Sequence, residues 1–577
     1  MNRTATPRFP AYRILLAGAA LLAIGAGSPP VVPAADLILT NARIYTVETG
    51  QPWAEAVAIK DGKILALGSA AEIGKRKGTA TRIVDLGGRF VMPAFGDAHA
   101  HPIFGGLSHA RCSLHAGTTL DDYRRIIADC VAKTPGNGTI FGSGFNQSLF
   151  PPKGIPDKAL LDSISKDRAL IFEADGHTLW VNSRALELAG ITRDTPDPKN
   201  GTIDRDANGD AVGALEESAM ALVEPLVPPP TAGDLEGAIT YTVTLFNSFG
   251  ITSWHDAALE WDKGGTSKAL EAYKAVRDRG ALTAHTVMDL HWNNDRGLDQ
   301  MPDILKLSAR AHDVGLTANG VKFFIDGVIP QQTAAMLAPY EGTDVKGATQ
   351  ITPTALAEAV AQLDARDMQS HFHAIGDAGV RQALDAVEHA RKRDGTRDTR
   401  PMISHMNVID PADQPRFGKL GVTAVFQPLW ACNEAYMDLA IERIGPKRAA
   451  YIYPSGSVLR FGGRLAYGAD WSVASANPME GIEVALTRIA PDGDRPPLGA
   501  GERVTLAQAL QAYTLNVAYV NHLDKQTGSL APGKSADLIV LDRNLFETPV
   551  RQIHSTKVLL TLFQGKEVFG RFQALGR

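Results

Sequence analysis

Phe90-Val91-Met92-Pro93-Ala94-Phe95-Gly96-Asp97-Ala98-His99-Ala100-His101 runs from a strand-like apolar segment straight into two histidines one residue apart. In an extended chain, residues two apart point to the same side. His99 and His101 therefore aim both imidazoles into one volume, as a metal ion requires. Two nearby histidines arise by chance often enough that the pair alone is weak. Its position strengthens it, because the pair ends a strand-like run, where parallel α/β barrels carry their sites.

Outward from that run, residues from about Pro93 to about Leu523 alternate short apolar runs with helical stretches. Among the runs are Ala169-Leu170-Ile171-Phe172, Ile251-Thr252-Ser253-Trp254, Val321-Lys322-Phe323-Phe324, Met402-Ile403-Ser404 and Leu465-Ala466-Tyr467-Gly468. Thr354 to Arg366 and Val380 to Arg393 carry helical spacing. Strand–helix alternation at this length predicts an α/β fold, a (β/α)8 TIM-like barrel. Residues 138 to about 226 break the rhythm with Asp197-Pro198-Lys199-Asn200-Gly201 and Asn208-Gly209, which predicts an inserted, turn-rich subdomain.

Both ends have another texture. Ala56-Val57-Ala58-Ile59 and Ile64-Leu65-Ala66-Leu67 flank Asp61-Gly62, a strong hairpin signal. Ala536 to Leu541 and Val558 to Leu562 repeat the pattern near the end. The two ends are expected to pair into a small β-sandwich, from residues 35–92 and 524–577, around a barrel at 93–523.

Three further polar residues end strand-like runs. His373 lies in His371-Phe372-His373-Ala374-Ile375-Gly376-Asp377, His405 ends Pro401 to Ser404, and Asp470 follows Gly468-Ala469. A barrel brings such distant strand ends to one face. Imidazole with carboxylate suits zinc or a similar divalent ion. His371 faces the same way as His373 on a strand, so either can be the ligand. Lys322 stands between apolar residues of an inner strand, where an ammonium must be paired or neutralised. One reading pairs it with Asp326. Another lowers its pKa by desolvation and lets CO2 convert the amine to a carbamate that bridges two metals.

These segments, with Gly176-His177-Thr178-Leu179-Trp180-Val181-Asn182-Ser183 and Pro532 to Val540, resemble the amidohydrolase superfamily. The closest likeness is to its third amidohydrolase subfamily, which includes N-substituted formamide deformylases. The resemblance covers nearly the whole chain after the leader. It implies that His99 and His101 bind the more buried metal and His373 and His405 the other. It also implies that a carboxylated Lys322 bridges them and that Asp470 ligates a metal and exchanges protons with the hydroxide. The implied cofactors are two divalent ions, zinc by type, with the CO2-derived carbamate on Lys322. The implied reaction is hydrolysis of a non-peptide C–N bond, an amide or N-formyl or N-acyl amine. On the same scaffold stand a cyclic amide or carbamate hydrolase and a deaminase; a non-catalytic exported binding protein is the reading outside enzymes. Ala94 and Gly96 depart from the usual glycine and bulky apolar residue, and Gln331-Gln332 from a more usual small or basic pair. His177, Trp180 and His255 are expected to face substrate, with Asp256 near the pocket and Trp254, Trp430 and Trp471 as candidate aromatic walls.

Composition narrows the partners. A net charge of -5 over 577 residues, without a basic block, leaves no footprint for nucleic acid. A small molecule is the expected partner, and a homo-oligomer is compatible. Arg3, Arg8 and Arg13 precede an apolar run from Ile14 to Gly27 and then Ala34-Ala35. That order describes a secretory leader over residues 1–34, hence an exported protein, periplasmic or secreted, with no stable membrane anchor after processing. Cys112, Cys130 and Cys432 are too few for a disulfide framework; one pair can form, and spacing does not say which.

Overall fold

In the computed structural model, the structure describes residues 33–174 and 176–575. Residues 1–32, most of the expected leader, lie outside them. Eight parallel strands form the central sheet: β1 (Phe95–Ala100), β2 (Ile251–Leu259), β3 (His285–His291), β4 (Thr317–Phe324), β5 (Gln369–Ala374), β6 (Met402–His405), β7 (Thr423–Phe426) and β8 (Arg464–Tyr467). Each pairs with the next in this order. Between β8 and β1 the ladder gives way to separate contacts beyond the strand end. The Asp470 N–H donates to His99 O (2.8 Å) and the His101 N–H to Trp471 O (2.8 Å). The buried Asp97 carboxylate accepts the N–H of His99 at 2.9 Å and of Ala469 at 3.1 Å. Gly468 permits this approach, since a Cβ there would lie 2.5 Å from the His99 nitrogen. The sheet is thus a nearly closed TIM barrel.

Helices Ala232–Ser248, Lys268–Asp278, Met301–Asp313, Pro353–Asp364 and Asp377–Asp394 cover its outer face. Their buried stripes pack with the strands into one large apolar core. Burial of that surface, at about 25 cal/mol per Å², is the main force holding the barrel together.

Two further sheets form the β-sandwich. One contains Leu37–Thr40, Ala56–Lys60, Lys63–Gly68 and Arg82–Asp85. Asp61 and Gly62 turn its hairpin with φ of 49° and 74°, the left-handed pair that a two-residue hairpin needs. The other joins the two ends of the chain, because Leu538–Leu541 pairs antiparallel with Phe90–Pro93, Val540 opposite Val91. Leu39, Ile44, Val57, Val91, Leu538 and Leu560 fill the space between the sheets.

Between helix Pro102–Ala110 and helix Ala232–Ser248 lies the insertion, with its own six-stranded sheet. It begins earlier than the turn-rich texture suggests. Cys112–Ser113 is its edge strand, pairing with Ile140–Ser143, and is too short to show a period. A disulfide joins Cys112 to Cys130 on helix Leu120–Lys133; Cys432 is free and buried. Among the described residues, no helix is long and apolar enough to cross a membrane.

Candidate metal centre

Strands of a closed barrel point alternate side chains inward, and the last inward residues meet at one mouth. His99 ends β1, Lys322 lies near the end of β4, His373 on β5 and His405 at the end of β6, while Asp470 follows β8 by three residues. Register aligns them: Lys322 lies opposite His371, Phe324 opposite His373, and Ala374 opposite His405. His405 and Asp470 hold φ of 80° and 55°, left-handed backbone that non-glycine residues adopt at a cost and that clusters at functional sites.

The polar atoms converge. His99 Nε2 lies 3.2 Å from Lys322 Nζ and 3.5 Å from Asp470 Oδ1. His101 Nε2 is 3.1 Å from the same carboxylate oxygen. His405 Nδ1 is 3.8 Å from Asp470 Oδ2 and 3.0 Å from Gln427 Oε1. The His373 ring stands 4.6 Å from that of His405. Ligand atoms of His99, His405 and Asp470 lie within 4.8 Å of one another.

Burial sets the charge states. It pushes His99 and His373 well below the ordinary histidine value and His405 down to about 3, so these rings are neutral with a lone pair to offer. Burial would raise Asp470, but its close contacts with His101 and His405 and the nearby Lys322 outweigh it and bring it to about 2. The carboxylate is therefore ionised, yet its buried Oδ1 accepts no well-directed hydrogen bond. Neutral imidazoles around an unsatisfied carboxylate oxygen form a donor set that suits a divalent cation.

Lys322 is fully buried, and desolvation lowers its pKa to about 8 against the opposing charges of Asp470 and Asp289. Asp326, the alternative partner, spends its carboxylate on the N–H groups of Ala335, Ile375 and Gly376 at 2.8–2.9 Å. Burial holds that acid up to about 7. Pairing of Lys322 with Asp326 is thus not observed.

Three expected substrate-facing residues part company. His177, from the insertion, brings its ring 5.0 Å from His373 and is the one near the centre. Trp180 is fully buried among Phe145, Phe150 and Phe172, with Nε1–H donated to Asp157 O, so it belongs to the insertion's core. His255 is likewise fully buried, with Nε2 2.6 Å from Asp289 Oδ2 and Nδ1 2.7 Å from Asn521 Oδ1, beneath the centre rather than lining a pocket. Asp256 is buried too, accepting from the Tyr273 hydroxyl. Of the tryptophans, Trp254 packs against Phe246 in the core and Trp471 against Phe246 and Tyr241. Trp430 stacks on His405, centroids 5.6 Å apart and planes 16° apart.

His371 lies beneath the ligand cluster, its Nδ1 on Asp289 and its Nε2 on Ser404 and 3.0 Å from His99 Nδ1. Glu217 is a site residue the sequence did not announce. Its carboxylate contacts His177 Nδ1 at 3.2 Å and accepts from Thr333 (2.9 Å) and Gln350 (3.3 Å), tying the insertion to the loop after β4. Glu216-Glu217 at a strand end has no spacing that sets it apart from a solvated pair. Gly96, one of the departures, is a packing matter: a Cβ there would meet Ser253 Oγ at 2.6 Å and Val517 Cγ1 at 2.7 Å.

Residues 82–569 match the profile of the amidohydrolase family. The chain belongs to that family. The amidohydrolase is 30% identical to the protein LONG AFTER FAR-RED 3 of Arabidopsis thaliana, over 94% of this chain and 93% of that one. It is 26% identical to an N-substituted formamide deformylase of Arthrobacter pascens, over 92% and 97% of the two chains. Its fold is also that of an uncharacterized metal-dependent hydrolase from Pyrococcus horikoshii, with TM-score 0.68 and 23% identity over 89% of this chain and 99% of that one.

Proposed function

We propose that this amidohydrolase is an exported hydrolase that cleaves a non-peptide C–N bond, in an amide or an N-formyl or N-acyl amine, at a two-metal centre. The observation that carries the reading is the convergence of His99 and His101 on Oδ1 of the ionised Asp470 and of His405 on its Oδ2, with buried Lys322 beside them. His99, His101 and Asp470 would hold the deeper ion, and His373 and His405 the outer one. A neutral Lys322 amine would add to CO2 and release a proton, and the resulting carbamate would supply an anionic ligand beside the histidines. Two divalent ions held there, zinc by ligand type, would polarise the substrate carbonyl and bring a water's pKa towards neutrality.

The remaining work falls to the chain. Asp470 takes the proton of the attacking water and returns it to the leaving nitrogen, because an amine leaves poorly as an anion. Glu217 holds His177 beside His373, so the insertion supplies a wall and a hydrogen-bonding group at the mouth. Trp430 closes the other side against His405. Similarity to a formamide deformylase supports a small N-acyl substrate. Export is supported by the leader-like beginning and by the disulfide, a bond that persists in oxidising compartments.

Elemental analysis of purified protein, with a panel of N-formyl, N-acyl and cyclic amides, tests the reading. Two equivalents of metal and release of amine with a carboxylate are expected. Absence of metal would overturn it; one metal, an unmodified Lys322 and ammonia release would assign a deaminase instead.

A further inference from the structure

Beneath the ligands runs a second layer of buried polar side chains: His255 on β2, Asp289 on β3, His371 on β5 and Ser404 on β6, each at most 0% exposed. A polar group buried this deeply is costly unless hydrogen-bonded, so the layer has a purpose to be read from its partners. His99 Nδ1 lies 2.8 Å from Ser404 Oγ, Ser404 Oγ 2.7 Å from His371 Nε2, and His371 Nδ1 2.6 Å from Asp289 Oδ2. One assignment of protons satisfies all three. His371 gives Nδ1–H to the carboxylate, which can only accept. Its bare Nε2 takes the Ser404 hydroxyl proton, and the serine oxygen takes Nδ1–H of His99. That leaves Nε2 of His99 unprotonated and aimed at Lys322 and Asp470. The opposite tautomer of His371 would set an N–H against Ser404 and leave Asp289 facing a lone pair.

We propose that Asp289, held by His255, is a positioning residue that fixes the tautomer of His371 and, through Ser404 and the direct 3.0 Å contact of His371 Nε2 with His99 Nδ1, orients His99 with Nε2 bare for a metal ion. The inference rests on the reading of His99 as a metal ligand. His255 anchors the far end: Nδ1 bonds Asn521 Oδ1 at 2.7 Å and Nε2 lies 2.6 Å from the same Asp289 oxygen that His371 uses. Space for the carboxylate comes from Gly320 on β4, where a Cβ would stand 1.8 Å from Asp289 Oδ1. His255, Asp289 and His371 also have the residue types of a metal site. Their separations argue otherwise. Ligands about 2.0–2.1 Å from one tetrahedral zinc lie about 3.3 Å apart, whereas both histidine nitrogens stand at 2.6 Å from the carboxylate oxygen, in direct contact with it and too close to share one ion with it.

Titration of metal-free protein with zinc against a competing chelator tests this in the wild type, Asp289→Asn and His371→Leu, with the melting temperature of each metal-free form as the second readout. Loss of an outer partner of a ligating histidine typically weakens metal binding about 10–100-fold, and that fall is expected in both variants. Wild-type zinc affinity in whichever variant folds overturns the proposal, even where its melting temperature drops, because that is the signature of a packing role. A zinc equivalent beyond two in the wild type that Asp289→Asn alone loses overturns it in favour of a third ion. No zinc uptake by the wild type removes the metal reading and the relay together, whereas two zincs with unchanged variants remove only the relay.

Discussion

Lys322 Nζ lies 3.2 Å from His99 Nε2, with both side chains fully buried. An ammonium at that spot would face a ring that needs its lone pair for a cation. The proposed conversion of Lys322 to a carbamate would resolve the conflict, since it would exchange a positive group for an anionic ligand. Lys322→Ala should lose metal by more than the roughly 10–100-fold that an outer-shell change costs. Intact-protein mass under native conditions should show one CO2 on the wild type that the variant lacks. An unmodified wild-type lysine in an active, two-metal preparation would count against the bridge.

Asp470→Asn separates proton transfer from metal binding. The amide keeps an oxygen for a cation but cannot carry the proton between water and the leaving nitrogen. Turnover should fall by about 10²–10⁴-fold, the usual worth of a positioned acid or base, with circular dichroism unchanged. Near-normal kcat would remove Asp470 from the mechanism.

Glu217→Gln tests whether the insertion helps to form the substrate mouth. The substitution keeps the side chain's size and removes the charge that holds His177 beside His373. A loss of about 1.4 kcal/mol in substrate positioning is a tenfold rise in KM, and that is the expected effect, with kcat changed less. Equal losses in both constants, or a fall in metal content, would place Glu217 in the metal centre's support instead.

Much of the barrel was legible because its inner strands are continuous apolar runs ending in a histidine, lysine or aspartate. β3 was harder to read. His285-Thr286-Val287-Met288-Asp289-Leu290-His291 mixes polar with apolar residues without a clean period, and here the inward Asp289 builds the buried layer. Barrel closure was equally hidden, since Asp97 bonds to Ala469 across 372 positions of sequence and no period registers such a contact. Periodicity tells which side of a strand a residue takes but not how deep it lies. That is why His255 and Trp180, read as pocket residues, prove to be buried beneath the site and inside the insertion.

Trp180 and Trp430 should therefore respond oppositely to truncation. Trp180→Ala empties a fully buried aromatic cluster, which costs about 3–5 kcal/mol. Trp430 is only part-buried against His405, so Trp430→Ala should cost about 1 kcal/mol or less in stability. Its effect should appear in KM. Calorimetry with steady-state kinetics on both variants decides; a stable Trp180→Ala protein with raised KM would restore Trp180 to the pocket.

Asp537 gives a pH dependence with a definite sign. Its buried carboxylate accepts from His285 Nε2 (2.9 Å), Ser535 Oγ (2.7 Å), Thr527 Oγ1 (2.8 Å) and the Gln564 N–H (2.8 Å), and so ties the sandwich to the start of β3. Burial alone would raise its pKa, but the His285 contact and the other hydrogen bonds outweigh it and hold the carboxyl below its ordinary value. A group depressed on folding adds stability that is complete above its unfolded pKa, about 3.9 for aspartate. That stability is lost as pH falls through the lower folded value. Asp537→Asn should therefore melt below the wild type at pH 7, and the gap should narrow below about pH 4 as the wild type surrenders the same contribution. Scanning calorimetry of both proteins from pH 7 to pH 3 measures it. A gap that stays constant across that range would mean that the carboxylate's charge does not hold the junction, and that the hydrogen bonds shared by aspartate and asparagine do.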